Sequence, residues 1–130
     1  MNGGPAVVLD ASALLAAVRG EPGGDRVESQ IGVAAMCAVN WAEVAQKSLA
    51  YGIDAAALRA DLVAAGLTIV PFAAEDAEVS ARLWFLTQSS GLSLADRACL
   101  SLALRLGVPA LTADRLWADI DVGVDVQVVR

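Results

Sequence analysis

Four acidic residues occupy positions where chemistry is expected in this 130-residue chain, which contains no histidine. Asp10 follows the apolar run 6–9, and Asp114 follows the apolar run 108–113. Glu43 and Asp96 each lie in the predicted first turn of a helix. Without histidine, the commonest general base and the commonest transition-metal ligand are both missing, so carboxylates must carry any catalysis. Clustered carboxylates suit hard cations such as Mg²⁺ or Mn²⁺, which indicates metal-assisted chemistry on phosphate esters.

The composition predicts one apolar domain that spans residues 1–130. Hydrophobic residues make up 57% of the chain and charged residues 18%, which excludes a disordered protein. No stretch of about 20 apolar residues is free of charge, so we expect no membrane span. No basic segment precedes the first apolar run, so we expect no signal peptide. The two cysteines, Cys37 and Cys99, lie in apolar segments without a CxxC pair. Buried thiols in a reducing cytoplasm are therefore the simplest expectation.

The net charge of −6 limits the kinds of partner the chain can bind. Eight arginines and one lysine are spread along the chain without forming a run. This counts against tight nucleic-acid binding by a single copy of the domain. It leaves room for a metal-dependent nuclease, because bound cations supply local positive charge and a dimer pools its arginines.

Strands alternate with helices or helix pairs along the chain. That order predicts an α/β fold, a parallel sheet flanked by helices on both faces. Apolar runs predict strands, and residues 1–5 are predicted to be a short tail. The predicted strands are 6–9, 33–39, 67–72, 108–112 and 124–129. The predicted helices are 12–18, 25–31 with Asp25 as its cap, 40–50, 54–65 with Asp54 as its cap, 74–89, 94–106 and 114–119.

The predicted sheet gives each of the four acids two possible roles. In open α/β sheets, ligands bind beyond the carboxyl ends of the strands, where Asp10 and Asp114 are predicted to lie. Asn40 and Glu43 have the spacing of a capping box, as do Ser93 and Asp96, and Asp114 can cap the short helix after it. For one residue alone, capping and a site role are about equally supported. Four acids from four distant segments at one edge favour a shared site, and some residues are expected to do both.

Other chemistries are weakly supported by this sequence. A Ser-His-Asp triad is impossible, and the thiols have no histidine partner. No phosphate-binding GxxxxGK[ST] loop is present. A phosphotransferase with a DxD motif is disfavoured because Ser12 stands where the second aspartate is needed. A receiver domain is disfavoured because it needs a lysine late in the sequence, and Lys47 is the only lysine of this chain. Among the tryptophans, Trp117 is the one expected to border a site.

Four segments of the chain resemble the PIN-domain family, and within it the VapC-type toxins of bacterial toxin–antitoxin pairs. The segments follow one another in the family's order along nearly the whole chain. They are 8–14 (VLDASAL), 38–44 (AVNWAEV), 93–100 (SLADRACL) and 111–115 (LTADR).

The resemblance implies a five-stranded parallel sheet and Mg²⁺- or Mn²⁺-dependent ribonuclease activity. The family's metal-binding and catalytic acids correspond to Asp10, Glu43, Asp96 and Asp114. Asp10 and Asp96 are expected to hold an ion directly, with Glu43 and Asp114 completing the shell or holding a second ion. A water nucleophile would leave a 5′-phosphate and a 3′-hydroxyl. Weaker site-lining candidates in the matching segments are Ser12, Thr112, Arg97 and Arg115.

The resemblance also implies partners. An RNA substrate, a cognate antitoxin protein and a second copy of the chain in a homodimer are expected. The alternative from another class is a non-catalytic PIN-like scaffold that only binds a protein partner, against which the complete set of acids argues.

Overall fold

Five short parallel strands form the sheet that positions the four acids. The computed structural model describes residues 3–130, so part of the predicted tail, residues 1 and 2, lies outside the described residues. The strands are β1 (Val7–Leu9), β2 (Ala34–Cys37), β3 (Thr68–Val70), β4 (Ala110–Thr112) and β5 (Val126–Val128). Their order is β3-β2-β1-β4-β5, and every neighbouring pair is parallel. The predicted five-stranded parallel sheet is confirmed, with strands shorter than predicted.

Six α-helices connect the strands. They are α1 (Ala11–Arg19), α2 (Gly24–Glu28), α3 (Ala38–Ala50), α4 (Ala55–Ala64), α5 (Ala74–Thr87) and α6 (Leu94–Leu106). Single 3₁₀ turns occupy Ile31–Val33, Gln88–Ser90 and Arg115–Trp117. Helix α6 has its predicted bounds, because Ser93 caps its start and Gly107, in the left-handed conformation at φ 66°, ends it.

The sheet separates two apolar cores, because alternate side chains of a strand point to opposite faces. Leu9, Met36 and Leu111 lie in the core covered by α1 to α4. Val8 and Ala110 lie in the core covered by α5 and α6, as do both cysteines. Helices therefore cover both faces, as predicted, and the middle strands β1, β2 and β4 are buried.

Helix α3 begins earlier than predicted. It starts at Ala38 directly after β2, with Cys37 as its N-cap residue in extended conformation. Asn40 is therefore inside the first turn of α3, and the predicted capping box of Asn40 and Glu43 is wrong. The chain passes from strand to helix without a loop because Cys37, 2% exposed, is already anchored in the core.

Two smaller predictions of helix ends also fail. Gly23, at φ 86°, is the N-cap of α2, and Asp25 lies in the first turn. Glycines are needed here because a Cβ on Gly24 would lie 2.3 Å from the carbonyl oxygen of Ala16, where α1 and α2 approach closely. The predicted helix 114–119 is one 3₁₀ turn, since the fully buried Trp117 anchors the chain in the core after that turn.

Helix α5 buries a face that is partly polar. Leu86 is 64% exposed. The buried face includes Ser80, Leu83 and Thr87 instead. The two hydroxyls donate to carbonyls one turn earlier in α5, so they are buried without losing a hydrogen bond.

None of the helices formed by residues 3–130 has the combined length and apolar character that crossing a bilayer requires. Cys37 and Cys99 are both free and buried, as predicted.

Candidate active site

The site lies at the carboxyl edge of the sheet, where the chain changes direction. From β1 the chain continues to β2 and β3 on one side, and it later crosses to β4 on the other side of β1. Such a reversal leaves a crevice between the carboxyl ends of the two strands, here β1 and β4. Asp10 follows the last residue of β1, and Asp114 lies two residues after β4.

Asp10 is held in this crevice by three donors. It is the N-cap residue of α1, and its Oδ1 accepts the backbone N–H of Ala13 at 2.8 Å. The Ser12 hydroxyl lies 2.8 and 2.9 Å from the two carboxylate oxygens, and the Thr112 hydroxyl donates to Oδ2 at 2.6 Å. A carboxylate offers about four acceptor positions. Three donated protons therefore leave room for one further partner.

The proton directions around Asp10 are consistent with an ionised carboxylate. Each hydroxyl has one proton, and both protons point to Asp10. The hydroxyl oxygens in turn accept backbone N–H groups, Ser12 from Ala113 at 2.9 Å and Thr112 from Asp114 at 3.0 Å. The side chains of Asp10, Ser12 and Thr112 and three backbone N–H groups thus form a connected network that joins α1 to the end of β4.

Burial opposes the charge that this network favours. Asp10 is 4% exposed. Burial is the largest effect and raises the pKa of Asp10 from its ordinary 3.8 to about 6, against the lowering effect of the three donors. The negative charge of Asp96 raises the Asp10 pKa further. A desolvated carboxylate beside a second carboxylate is the arrangement that a bound cation relieves.

Three of the acids act on one buried thiol. Burial raises the pKa of Cys99 well above its ordinary value, and the charges of Asp10, Asp96 and Glu43 raise it further. Cys99 lies one helical turn after Asp96 in α6. Asp10, Glu43 and Asp96 are therefore all near enough to influence the same buried thiol.

Glu43 accepts a hydrogen bond from Asn40, a residue whose sequence position predicted only a helix cap. Asn40 is 1% exposed, and its Nδ2 donates to Glu43 Oε1 at 3.4 Å and to the carbonyl oxygen of Ala95 at 2.9 Å. Asn40 thus connects α3 to the first turn of α6. The signal for this role was an amide one helical turn before a candidate ligand, on the same helix face.

Asp96 and Asp114 each cap a helical turn, as predicted. Asp96 Oδ2 accepts the N–H of Ser93, completing a capping box with the Ser93 hydroxyl. Asp114 Oδ1 accepts the N–H of Leu116. Within residues 3–130, no hydrogen bond uses Asp96 Oδ1 or Asp114 Oδ2. Each residue can therefore cap its turn and still offer one oxygen to another partner.

The donor set fits a hard divalent cation, although it is not gathered around one point. Across the described part of the chain, no three acidic or cysteine side chains are arranged so that they would hold a metal ion. The available ligands are carboxylate oxygens on separate elements at one edge, which is the chemistry that Mg²⁺ and Mn²⁺ prefer.

The remaining candidates divide between the site and the scaffold. Ser12 and Thr112 contact Asp10 directly. Arg97 Nη1 donates to the carbonyl oxygen of Ser80 at 2.9 Å, which ties α6 to α5. Arg115 is exposed in the 3₁₀ turn after Asp114. The expectation that Trp117 borders the site is wrong, because its side chain is fully buried in the core beside α6.

Comparisons with known proteins agree with this architecture. A model of the PIN domain matches residues 7–123. No curated protein sequence matches the chain.

Several solved structures share the fold. A toxin–antitoxin complex from Klebsiella pneumoniae aligns with a TM-score of 0.70 and 21% identity over 92% of this chain and 95% of that chain. DNA-bound VapBC from Salmonella typhimurium aligns with a TM-score of 0.71 and 15% identity over 97% of this chain and 99% of that chain. VapC20 from Mycobacterium tuberculosis is a toxin that cleaves the sarcin–ricin loop. It aligns with a TM-score of 0.70 and 15% identity over 92% of this chain and 99% of that chain. At these identities the likeness shows the fold alone.

Proposed function

The chain belongs to the PIN-domain family, and on that basis we propose that it is a metal-dependent endoribonuclease and the toxin of a toxin–antitoxin pair. The observation that carries the proposal is the buried Asp10 carboxylate at the β1–β4 crevice, with the charge of Asp96 beside it. Folding places this carboxylate where its charge is unfavourable, and a cation would make it favourable.

The comparisons support the same proposal. The K. pneumoniae structure is a toxin–antitoxin complex, the S. typhimurium structure is a DNA-bound VapBC, and the M. tuberculosis protein is a toxin that cleaves the sarcin–ricin loop. Each covers more than nine-tenths of this chain. An RNA phosphodiester is therefore the proposed substrate, and a cognate antitoxin protein is the proposed partner.

The residues divide the work as follows. Asp10 and Asp96 would hold Mg²⁺ or Mn²⁺ directly, with Glu43 and Asp114 completing the set. A bound ion of this kind lowers the pKa of water and stabilises negative charge on a phosphoryl group in the transition state. Ser12 and Thr112 fix the orientation of Asp10 and keep both their protons on it, so that it stays an acceptor. In the proposed reaction water would attack phosphorus and the ribose 3′-oxygen would leave and take up a proton, so that the products would carry a 5′-phosphate and a 3′-hydroxyl.

A homodimer is proposed from the exposed end of α5. Trp84, Phe85 and Leu86 are 44%, 71% and 64% exposed. Three consecutive large apolar side chains on a surface mark an interaction site more often than a solvated face. The two free buried thiols suit a reducing compartment, which supports the proposal of a cytoplasmic protein.

A second candidate function is a non-catalytic PIN-like scaffold that binds a protein partner. The observation that favours it is that, within residues 3–130, the acids do not form an assembled metal-binding group.

Cleavage of total RNA separates the two functions. The wild-type protein is incubated with RNA in Mg²⁺, in Mn²⁺ and in EDTA, and the 5′ ends of the products are mapped. We expect defined cleavage that requires the metal, yields 5′-phosphates and is abolished in Asp10→Asn and Asp96→Asn. Asp54→Asn makes the same change at an exposed helix cap and serves as the matched control. Cleavage that needs no metal, or the absence of cleavage by the wild type and all variants, would refute the proposal of a metal-dependent nuclease.

Expression in bacteria tests the toxin role separately. We expect growth arrest from the wild type that Asp10→Asn relieves. Harmless overexpression of an active nuclease, without antitoxin present, would contradict the toxin role alone.

A further inference from the structure

Glu43 is held differently from the other three acids. Its donor is the Asn40 side chain, which also donates to the first turn of α6. Backbone N–H groups hold Asp10, Asp96 and Asp114 through caps. Glu43 lies inside α3, beyond the free N–H groups of the first turn, and accepts a hydrogen bond from Asn40.

Asn40 has both of its donated protons committed. One reaches Glu43 in its own helix and the other reaches the carbonyl oxygen of Ala95, the residue before Asp96. Rotating the amide by half a turn would point Oδ1 at two acceptors, so these contacts fix the orientation. A single buried amide therefore sets the position of Glu43 relative to the first turn of α6.

The other half of the amide shows that Asn40 is a costly residue for the core. Its Oδ1 is buried and has no donor among the described residues. A buried acceptor without a donor lowers stability, and an apolar residue of similar size avoids that cost. Packing alone would therefore be served better by leucine, which points to the two donated protons as the reason for an amide here.

We propose that Asn40 is a positioning residue for the nuclease site, one that holds Glu43 and Asp96 in register by bridging α3 to α6. It touches neither substrate nor ion and acts through these two carboxylates. This inference rests on the proposed function, because it concerns the geometry of the same metal-binding acids. It predicts a loss of metal affinity and of turnover without a loss of fold.

The test replaces Asn40 by leucine and measures stability, metal binding and catalysis separately. We expect Asn40→Leu in EDTA to melt at or above the wild-type temperature. Its affinity for Mn²⁺ alone, followed by the electron paramagnetic resonance signal of the free ion, should fall at least tenfold. The kcat for RNA cleavage should fall at least tenfold, while KM for RNA stays within about twofold. Asn40→Ser keeps one hydroxyl donor, so its Mn²⁺ affinity and kcat should lie between those of the wild type and Asn40→Leu. If Asn40→Leu does not fold, the values for Asn40→Ser test the positioning role.

Thr87→Val is the matched control. Thr87 is equally buried, at 1% exposure, and its hydroxyl donates to Leu83 within α5. Thr87→Val, like Asn40→Leu, exchanges a buried polar side chain for an apolar one of similar shape. It should leave Mn²⁺ affinity and kcat unchanged.

The outcomes distinguish failure of the positioning role of Asn40 from failure of the proposed nuclease function. If the wild type binds Mn²⁺ and cleaves RNA while Asn40→Leu binds Mn²⁺ equally well, the positioning role is overturned and the nuclease stands. If the wild type neither binds Mn²⁺ nor cleaves RNA, the proposed function fails and the positioning role fails with it.

Discussion

Asp10→Asn should stabilise the protein in the absence of metal, by an amount that depends on pH. The folded protein raises the pKa of Asp10 from 3.8 to about 6, so ionising this carboxyl opposes folding. The difference converts to ~3 kcal/mol, at ~1.4 kcal/mol for each tenfold change in proton affinity. Asparagine removes that charge, and its amide can still accept from Ala13 and donate to the two hydroxyls around it.

The sign of the pH dependence follows from proton binding. Between pH 3.8 and about 6 the folded protein holds a proton on Asp10 that the unfolded chain has released. The wild type therefore loses stability as pH rises through this window, and the loss is complete above it. Relative to the wild type, Asp10→Asn should gain little at pH 4 and ~3 kcal/mol at pH 8, about 10 °C in Tm for a domain of this size.

The assay is urea unfolding of both proteins in EDTA from pH 4 to pH 8. Asp54→Asn is the control, because aspartate and asparagine are comparable helix caps when exposed. Mg²⁺ or Mn²⁺ at about 100 times its Kd should raise the free energy of unfolding of the wild type by ~2.7 kcal/mol and leave that of Asp10→Asn unchanged. Equal stability of wild type and Asp10→Asn at pH 8, or an equal gain in Asp54→Asn, would refute the account of Asp10.

Three further changes address other parts of the site and surface. Glu43→Gln can still accept from Asn40 but is a poorer ligand for a hard cation, so kcat in Mg²⁺ should fall at least tenfold with stability altered by less than about 1 kcal/mol, the scale of one hydrogen bond; unchanged turnover would remove Glu43 from the site. Thr112→Val removes the 2.6 Å donor to Asp10 and leaves the Asp114 N–H unpaired, so urea unfolding should show a loss of ~1–3 kcal/mol at pH 8. Because this donor lowers the Asp10 pKa, that loss should shrink at pH 4; a loss independent of pH would contradict the network. Phe85→Asp should convert the dimer to a monomer of about half the mass in light scattering, and a wild-type monomer at micromolar concentration would exclude the interface.

The architecture was predictable because each segment carries its own signal. Apolar runs marked the strands, and Gly107 and Ser93 marked the ends of α6. The acids at the strand ends followed from the rule that parallel strands end at one edge. Local patterns gave less at the junction of β2 and α3, where burial of Cys37 let the helix begin at once.

The contacts between distant segments were beyond local patterns. The Thr112 hydroxyl reaches Asp10 across 102 residues, and Asn40 reaches Ala95 across 55. Both depend on which strands and helices are neighbours, which no single segment specifies. The buried Trp117 is a similar case, because an apolar side chain near an acid looks the same in sequence whether it lines a crevice or fills a core.

The pairing of β1 with β4 has a consequence for protein synthesis. Strand β1, which Asp10 follows, is made before the other strands of the sheet, and the hydroxyl that donates to Asp10 follows 102 residues later. At about 5–20 residues per second, translation needs roughly 5–20 s to span that interval. Throughout this interval Asp10 has no β4 beside it, so a nascent chain has no crevice between β1 and β4 until residues 110–112 have emerged. A transcript cut before the codon for Thr112 would therefore yield a chain with Asp10, Glu43 and Asp96 and no crevice to hold them.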